Sequence, residues 1–301
     1  MFTLCAVCIF LGLSVYYFIS WEDNSNEPPG PKPWPIIGNL FHLATVSDNT
    51  TLSLGILAEK YGEIYSLRIG FRKMVILTSK EAMETIFINE AALARDTSGP
   101  SGDRVFNKNL GIAASHGNMW EKTKTWTFKT LKHFGFGKSL DMQRFTKIES
   151  QSWFADIDNK IDTQGGVIPI ERYFNSSILA IMWKIIVGRI TPEDETNMEA
   201  ISDKGHALMQ TGFYGIAVVM AYPFFRRIFP ETLDYNVQTD YFTTCNGISK
   251  HLFLETESQL KSSKMTSHSS SSLLETFVQN YFAASDPELF NQLPATFEAI
   301  K

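Results

Sequence analysis

A tryptophan and a lysine one helical turn apart form the pair of residues in this sequence that best suits the binding of an anion. The stretch GNMWEKTKTWTFKTLKH, residues 117–133, predicts a helix that begins near Asn118. At 100° per residue, Trp120 and Lys124 fall on one stripe, which also holds Thr127, Phe128 and Leu131; the opposite side holds Lys122, Lys129 and His133. We therefore expect Lys124 to lie in the buried face of this helix.

A buried ammonium group is costly unless an anion pairs with it. In one explanation the Lys124 side chain extends to solvent or rests on the Trp120 ring. In the other, a buried anionic ligand accepts hydrogen bonds from both the Trp120 indole N–H and the Lys124 ammonium group. The residues by themselves leave both explanations open.

The other residue types that commonly do chemistry form no recognisable site. The chain has three cysteines, Cys5, Cys8 and Cys245, and its six histidines are scattered without the spacing of metal ligands. It also lacks a phosphate-binding loop, a nucleophile elbow and an HExxH metal motif. We therefore predict no catalytic residue and no metal ligand in this chain.

Length and charge limit the classes of protein that fit. The 301 residues, 44% of them hydrophobic, suffice for one large domain or two small ones. A net charge of −5 and an isoelectric point near 5.7 argue against a nucleic-acid-binding surface.

The elements that would position the Trp120–Lys124 pair are mostly helical. TLSLGILAEKYG (residues 51–62) predicts a helix, residues 63–70 and 73–79 predict a β-hairpin, and Ser79 is the predicted N-cap of the next helix. Residues 94–111 read as a long irregular loop, and residues 261–272 as a polar loop. Further helical patterns cover residues 140–161, 170–187, 196–218, 236–260 and 272–282.

The amino terminus has the composition of a membrane anchor followed by a rigid spacer. Residues 1–21 contain no charged side chain and suffice for about 20 helical residues across a bilayer; a cleaved signal peptide or a buried helix is the alternative. In EPPGPKPWPIIGNL, residues 27–40, five prolines stiffen the backbone. The predicted division is an anchor (1–21), a hinge (22–40) and a folded body (41–301).

Several of these stretches together resemble the microsomal cytochrome P450 family, in its drug-metabolising branch. WEKTKTWTFKTLKHFGFGKS resembles that family's C-helix, and PPGPKPWPIIGNL its proline-rich hinge. YGEIYSLRIGFRKMVILTSKEAMETIF and LGIAASHGNMW match in the same order along the chain. The resemblance implies a mainly α fold with a small β-sheet (α+β) and an amino-terminal transmembrane anchor.

The resemblance also implies roles for individual residues. In that family the matching Trp and Arg bind a haem propionate, so Trp120, Lys124 and, by a second match, Arg95 are the predicted haem-binding residues. Lysine keeps the charge of the family's arginine but lacks its bidentate fork. The loop of residues 101–114 corresponds to a substrate-recognition segment, which makes Ile112, Ala113 and Ala114 candidate substrate contacts; ordinary packing at a helix entrance is the alternative.

Other parts of the family pattern do not occur in this sequence. No FxxGxxxCxG haem-ligand motif and no ExxR pair are present, and Cys245 lacks the required Phe and Gly before it. The chain ends at QLPATFEAIK, about where the family's long central helix would begin. The expectation is an amino-terminal half of such an enzyme that is inactive by itself.

The expected function of the complete family member is that of a haem-thiolate monooxygenase. It would oxidise small apolar substrates with electrons from NADPH, delivered by NADPH–cytochrome P450 reductase, while anchored in the endoplasmic reticulum membrane with its body in the cytosol. Lysines of the C-helix region could face the reductase, although such a run is more often a solvated surface: Lys122, Lys129, Lys132 and Lys138. The alternative is a non-catalytic, membrane-tethered binding protein derived from that family.

Overall fold

The described residues are mainly helical with one two-stranded antiparallel sheet, which confirms the predicted α+β composition of the fold. The computed structural model describes residues 2–19, 26–47, 49–96, 99–137, 140–163, 165, 174–262, 270–283, 286 and 289. The elements in chain order are α1 (Phe2–Ile19), α2 (Leu40–Val46), α3 (Thr50–Tyr61), β1 (Ile64–Ile69), β2 (Arg72–Leu77), α4 (Lys80–Phe87), a 3₁₀ helix (Glu90–Leu93), α5 (Pro100–Asp103), α6 (Gly111–Ala114), α7 (Gly117–His133), α8 (Leu140–Thr163), α9 (Asn175–Ile186), α10 (Pro192–Gln210), α11 (Phe213–Ala221), α12 (Phe225–Ile228), α13 (Tyr235–Ser262) and α14 (Leu273–Phe282).

The chain forms two compact units that do not follow chain order. The first unit takes Met1–Ala94, Ser98–Pro100 and Gly212–Asn236, and the second takes Arg95–Thr97, Ser101–Thr211 and Val237–Lys301. The Trp120–Lys124 pair belongs to the second unit. The division into anchor, hinge and body stays a prediction.

The helix α1 contains the uncharged amino-terminal stretch, and almost all side chains of residues 7–16 are exposed. Within the described residues, no helix is both long enough and apolar enough to cross a membrane. The anchor over residues 1–21 stays a prediction.

The proline-rich hinge is held against the sheet by specific hydrogen bonds. Ser66 of β1 donates through its backbone N–H to Pro29 O and through its hydroxyl to Pro28 O, both at 2.8 Å. A Cβ on Gly30 would overlap the Ser66 carbonyl oxygen, so this close approach requires glycine. The prolines thus place the hinge along the strand, because each restricts its own backbone and that of the residue before it.

Asn39 fixes the far end of the hinge. Its side chain is 1% exposed, donates to Pro31 O at 2.9 Å and accepts from the Arg68 backbone N–H at 2.7 Å. Nearby, Glu27 and Lys73 form an ion pair of 2.5 Å. The hinge is therefore part of the first unit rather than a free tether.

The core of the first unit forms on one face of the hairpin. Tyr65, Leu67 and Ile69 alternate along β1 and are buried, as the period of a strand requires. They pack with Leu43 and Ala217. The Tyr65 hydroxyl donates to Leu54 O at 2.8 Å, which connects the sheet to α3.

Three stretches differ from the sequence-based expectation. The segment 94–111, predicted as irregular, contains α5 and begins α6. The pattern over 196–218 is interrupted at Thr211 and Gly212, whose extended backbone separates α10 from α11. The helix α2 was not predicted, because the seven residues LFHLATV are too short for a recognisable period. Ser79 is the N-cap of α4, as predicted.

Candidate functional site

Two hydrogen bonds between Asn109 and His116 fix the start of α7. Asn109 accepts a hydrogen bond from the His116 backbone N–H at 2.8 Å and donates from its amide to His116 O at 3.2 Å. Gly117 follows with φ +62°, a conformation that favours glycine. These contacts set where α7 begins and therefore the level at which Trp120 and Lys124 project.

Trp120 and Lys124 lie in contact, as their spacing indicates. The Lys124 ammonium nitrogen is 4.3 Å from the centroid of the Trp120 ring, within the range of a cation–π interaction. No ion pair to Lys124 is present among the described residues. The pair therefore offers one indole N–H and one ammonium group on the same side of α7.

The expected burial of this stripe is wrong for Lys124. Its side chain is exposed, Trp120 is half-buried, and Phe128 is 42% exposed, whereas Leu131 is buried as expected. The physical reason is that a helical wheel gives the angle between side chains but not the face that a neighbour covers. Here α14 packs on the other side of α7.

The side that was expected to be solvated carries the contacts with α14. The rings of Trp126 and Phe277 meet edge to face at 5.4 Å, and the Lys122 ammonium nitrogen lies 3.7 Å from an Asp286 carboxylate oxygen. A cavity of about 700 Å³ is lined on the α7 side by Lys122, Trp126, Lys129, Thr130 and His133.

Of the predicted lysine group, Lys129 and Lys132 are exposed, and Lys129 also lines the cavity. Lys122 is half-buried and pairs with Asp286. A role of these lysines toward a reductase stays a prediction. Lys138 lies outside the described residues.

The remaining predicted site residues occupy different environments. Arg95 is exposed and follows the 3₁₀ helix. In α6, Ile112 is half-buried, Ala113 is exposed and Ala114 is 4% exposed. Their roles toward haem and substrate stay predictions.

Cys245 sits in the middle of α13 and is half-buried. Burial raises the pKa of its thiol, and a hydrogen bond with Tyr241 one turn earlier offsets part of this effect. A thiol with a raised pKa is a weak nucleophile at neutral pH, because the thiolate is the reactive form. In the described part of the chain, no group of three or more His, Cys, Asp or Glu side chains could hold a metal ion.

With this geometry in place, comparison with known proteins identifies the class. The family model named Cytochrome P450 matches residues 28–293, which include most of the hinge, the hairpin and α7. The chain belongs to the cytochrome P450 family.

The relatives show how much of such a protein is present. The chain is 30% identical to rat "Cytochrome P450 2C13, male-specific" over 76% of its own length and 45% of that protein. It is 38% identical to rat "Cytochrome P450 2C6" over 39% of its length and 24% of the relative. Silkworm (Bombyx mori) "Farnesoate epoxidase" is 23% identical over 87% of the chain and 52% of that protein. The chain thus spans about half the length, or less, of these relatives.

The family implies haem as prosthetic group, and Trp120 and Lys124 fit its periphery. A propionate is an acceptor-only anion, and this pair supplies two donors, one of them charged, with no carboxylate competing for Lys124 among the described ion pairs. Cys245 does not fit the iron, because it lies in the middle of α13 without the Phe and Gly that precede the family's haem-ligand cysteine.

Sequence reasoning missed Trp126 and Asp286, which hold the far side of α7. Trp126 was detectable as a large aromatic residue among threonines and lysines, since such residues dominate buried contacts. Asp286 carried no local signal, because its partner Lys122 is 164 positions away in sequence.

Proposed function

We propose that this chain forms the haem-periphery and substrate-facing part of a haem-thiolate monooxygenase that oxidises small apolar substrates. The observation that carries the proposal is the Trp120–Lys124 pair, 4.3 Å apart, inside the region that matches the family.

The residues of this chain would bind and orient the prosthetic group. Haem, when bound through a thiolate, supplies the activation of dioxygen. Lys124 would neutralise a haem carboxylate and the Trp120 indole N–H would fix its direction, since a charged donor and a directional donor together restrict rotation. Arg95 would add a second cation, and Ile112, Ala113 and Ala114 would contact the substrate.

The proposed location is the cytosolic face of the endoplasmic reticulum membrane, with residues 1–21 as anchor. Exposed aromatic side chains of the first unit support contact with lipid: Phe71 is 72% exposed, Phe224 55% and Phe229 50%. Phe71 packs edge to face on Tyr222, which lies two residues before Phe224. Aromatic rings favour the membrane interface. Arg226 and Arg227 lie in the same segment, and their charges would attract anionic lipid headgroups.

The hinge is tied to this aromatic segment. The Tyr222 hydroxyl donates to the backbone oxygen of Ile36, and Ile36 has a positive φ of 65°. Any tilt that the membrane imposes on the aromatic segment is thereby shared with the hinge. Electrons would come from NADPH–cytochrome P450 reductase, and the exposed Lys132 would contribute to its docking.

Haem retention tests the proposal. The chain is joined to the carboxy-terminal half of a related cytochrome P450 and carries either Lys124→Glu or Lys132→Glu. Both variants reverse one exposed lysine of α7, but only the first places a carboxylate beside the haem propionate. We expect haem per folded protein to fall by about tenfold in Lys124→Glu and to stay unchanged in Lys132→Glu. Equal occupancy in both variants would contradict the assignment of Lys124.

A non-catalytic, membrane-tethered binding protein is the second candidate, and it would use the same exposed aromatic residues for lipid contact without binding haem. In that case the chain would bind phospholipid vesicles, and Phe224→Ser with Phe229→Ser would weaken this binding. The wild-type chain and its Lys124→Glu variant would then have the same affinity for haem.

A further inference from the structure

The helix α7 makes different contacts on two faces, and only the first face has a proposed role so far. On one face, the Lys124 ammonium group lies 4.3 Å over the Trp120 ring and is exposed. On the other, Trp126 and Lys122 contact residues of α14 and of the segment after it. The inference concerns this second face, and it rests on the proposed carboxylate-binding role of the first.

Among the contacts that the structure describes on the second face, two differ in character. The Trp126 ring meets Phe277 edge to face, with centroids 5.4 Å apart and planes at 71°. Four residues earlier on α7, the Lys122 ammonium group lies 3.7 Å from the Asp286 carboxylate, and both side chains are about one-third exposed. The first contact depends on the relative orientation of the two rings, through their quadrupoles. The second depends on the distance between opposite charges.

The position of these contacts around the helix gives them leverage over its rotation. At about 100° per residue, the midpoint of Lys122 and Trp126 lies about 200° from the midpoint of Trp120 and Lys124. Any rotation of α7 that breaks the Trp126 and Lys122 contacts therefore turns the Trp120–Lys124 pair by the same angle. The cavity of about 700 Å³ beside these contacts leaves space into which the helix could turn if they were lost.

We propose that Trp126 and Lys122 are positioning residues that fix the rotation of α7 through Phe277 and Asp286. They thereby aim the Trp120 indole N–H and the Lys124 ammonium group at the haem carboxylate. Neither residue touches the carboxylate. Their loss lowers the selectivity for a carboxylate-bearing ligand rather than the hydrophobic part of haem binding.

The test compares haem with haem dimethyl ester, which keeps the apolar ring but lacks the carboxylates. The full chain in detergent micelles is titrated with each compound, and the ratio of the two affinities is taken from the Soret absorbance. A variant that merely loosens the fold weakens both affinities equally and leaves the ratio unchanged. A variant that misaims the carboxylate site lowers the ratio.

We expect the wild-type chain to prefer haem, and Lys122→Asp to lower this preference by about tenfold, as loss of an outer partner of a binding group does. Asp286→Lys alone lowers it similarly, and the double variant Lys122→Asp with Asp286→Lys restores it, because the charges are exchanged. Trp126→Leu lowers the ratio, Trp126→Phe keeps most of it, and Lys147→Glu, at an exposed position of α8, leaves it unchanged.

The outcomes separate this inference from the function on which it rests. If Lys124→Gln leaves the ratio at its wild-type value, or if the wild-type chain binds haem no better than the ester, the proposed carboxylate site is wrong and the inference falls with it. If Lys124→Gln lowers the ratio but the variants of Lys122 and Trp126 do not, only the positioning role is overturned. Failure of the exchanged-charge variant to recover likewise overturns the Lys122–Asp286 contact as its cause.

Discussion

The ammonium group of Lys124 lies over the Trp120 ring, and none of the ion pairs that the structure describes involves Lys124. An exposed cation–π contact of this kind contributes about 0.5–1 kcal/mol, less than a desolvated one. Such a weak contact orients the lysine at small cost and leaves its charge available to an incoming anion. A lysine already paired with a carboxylate would have to break that ion pair before it could bind an incoming anion.

Cys245 provides a prediction at the same scale. Because burial raises the pKa of its thiol and only the thiolate attacks an alkylating reagent, Cys245 should react with iodoacetamide more slowly than a free cysteine at neutral pH. The rate should reach half its maximum at a higher pH than for the free amino acid. Mass spectrometry of a Cys5→Ser, Cys8→Ser chain measures this rate.

Urea-unfolded chain serves as the control for that measurement and should react at the ordinary cysteine rate. Fast alkylation of the folded chain at neutral pH would contradict the burial of the Cys245 thiol.

At the scale of elements, the parts with strong local signals were predicted correctly. The hairpin follows from β-rich residues around Gly70, and the start of α4 from the N-cap Ser79. The exposure of Lys124 was not predictable, because the face of α7 that is covered depends on α14, whose residues lie about 150 positions later in the sequence. Angles around a helix are local information, whereas the covered face is set by the tertiary fold.

The docked hinge gives the prediction at this scale. Alanine at Gly30 would place a Cβ on the Ser66 carbonyl oxygen and separate the hinge from β1. The two hydrogen bonds from Ser66 to Pro28 and Pro29 would be lost, at about 0.5–1.5 kcal/mol each. Gly30→Ala should therefore lower the free energy of unfolding by about 1–3 kcal/mol, measured by urea unfolding followed with circular dichroism.

Gly55 is the matched control, because no atom lies within 4 Å of a Cβ built there and it is inside α3. Gly55→Ala should raise the free energy of unfolding by about 0.5–1 kcal/mol, since alanine is the better helix former. If Gly30→Ala proved as stable as Gly55→Ala, the hinge would not be docked on the strand in solution.

For the whole molecule, the family match spans residues 28–293 and so covers most of both units. The first unit carries the hinge and the exposed aromatic residues named above, and the second carries α7 with the Trp120–Lys124 pair. The proposed membrane contact and the proposed haem contact thus involve different units. Each can be tested without disturbing the other.

The orientation toward the membrane is tested by two glycosylation sequons. Asn49-Thr50-Thr51 and Asn175-Ser176-Ser177 match the acceptor pattern, and Asn49 is exposed at the start of α3, where its side chain accepts from Leu52 N at 3.1 Å. If the body faces the cytosol, neither site meets the luminal transferase, and both should stay unmodified. Expression in a glycosylating cell followed by an endoglycosidase gel-shift measures this. The control replaces residues 1–21 with a cleavable secretory signal, which sends the body to the lumen and should give a shift that Asn49→Gln reduces. A shift in the unaltered chain that Asn49→Gln abolishes would place the body in the lumen and overturn the proposed orientation.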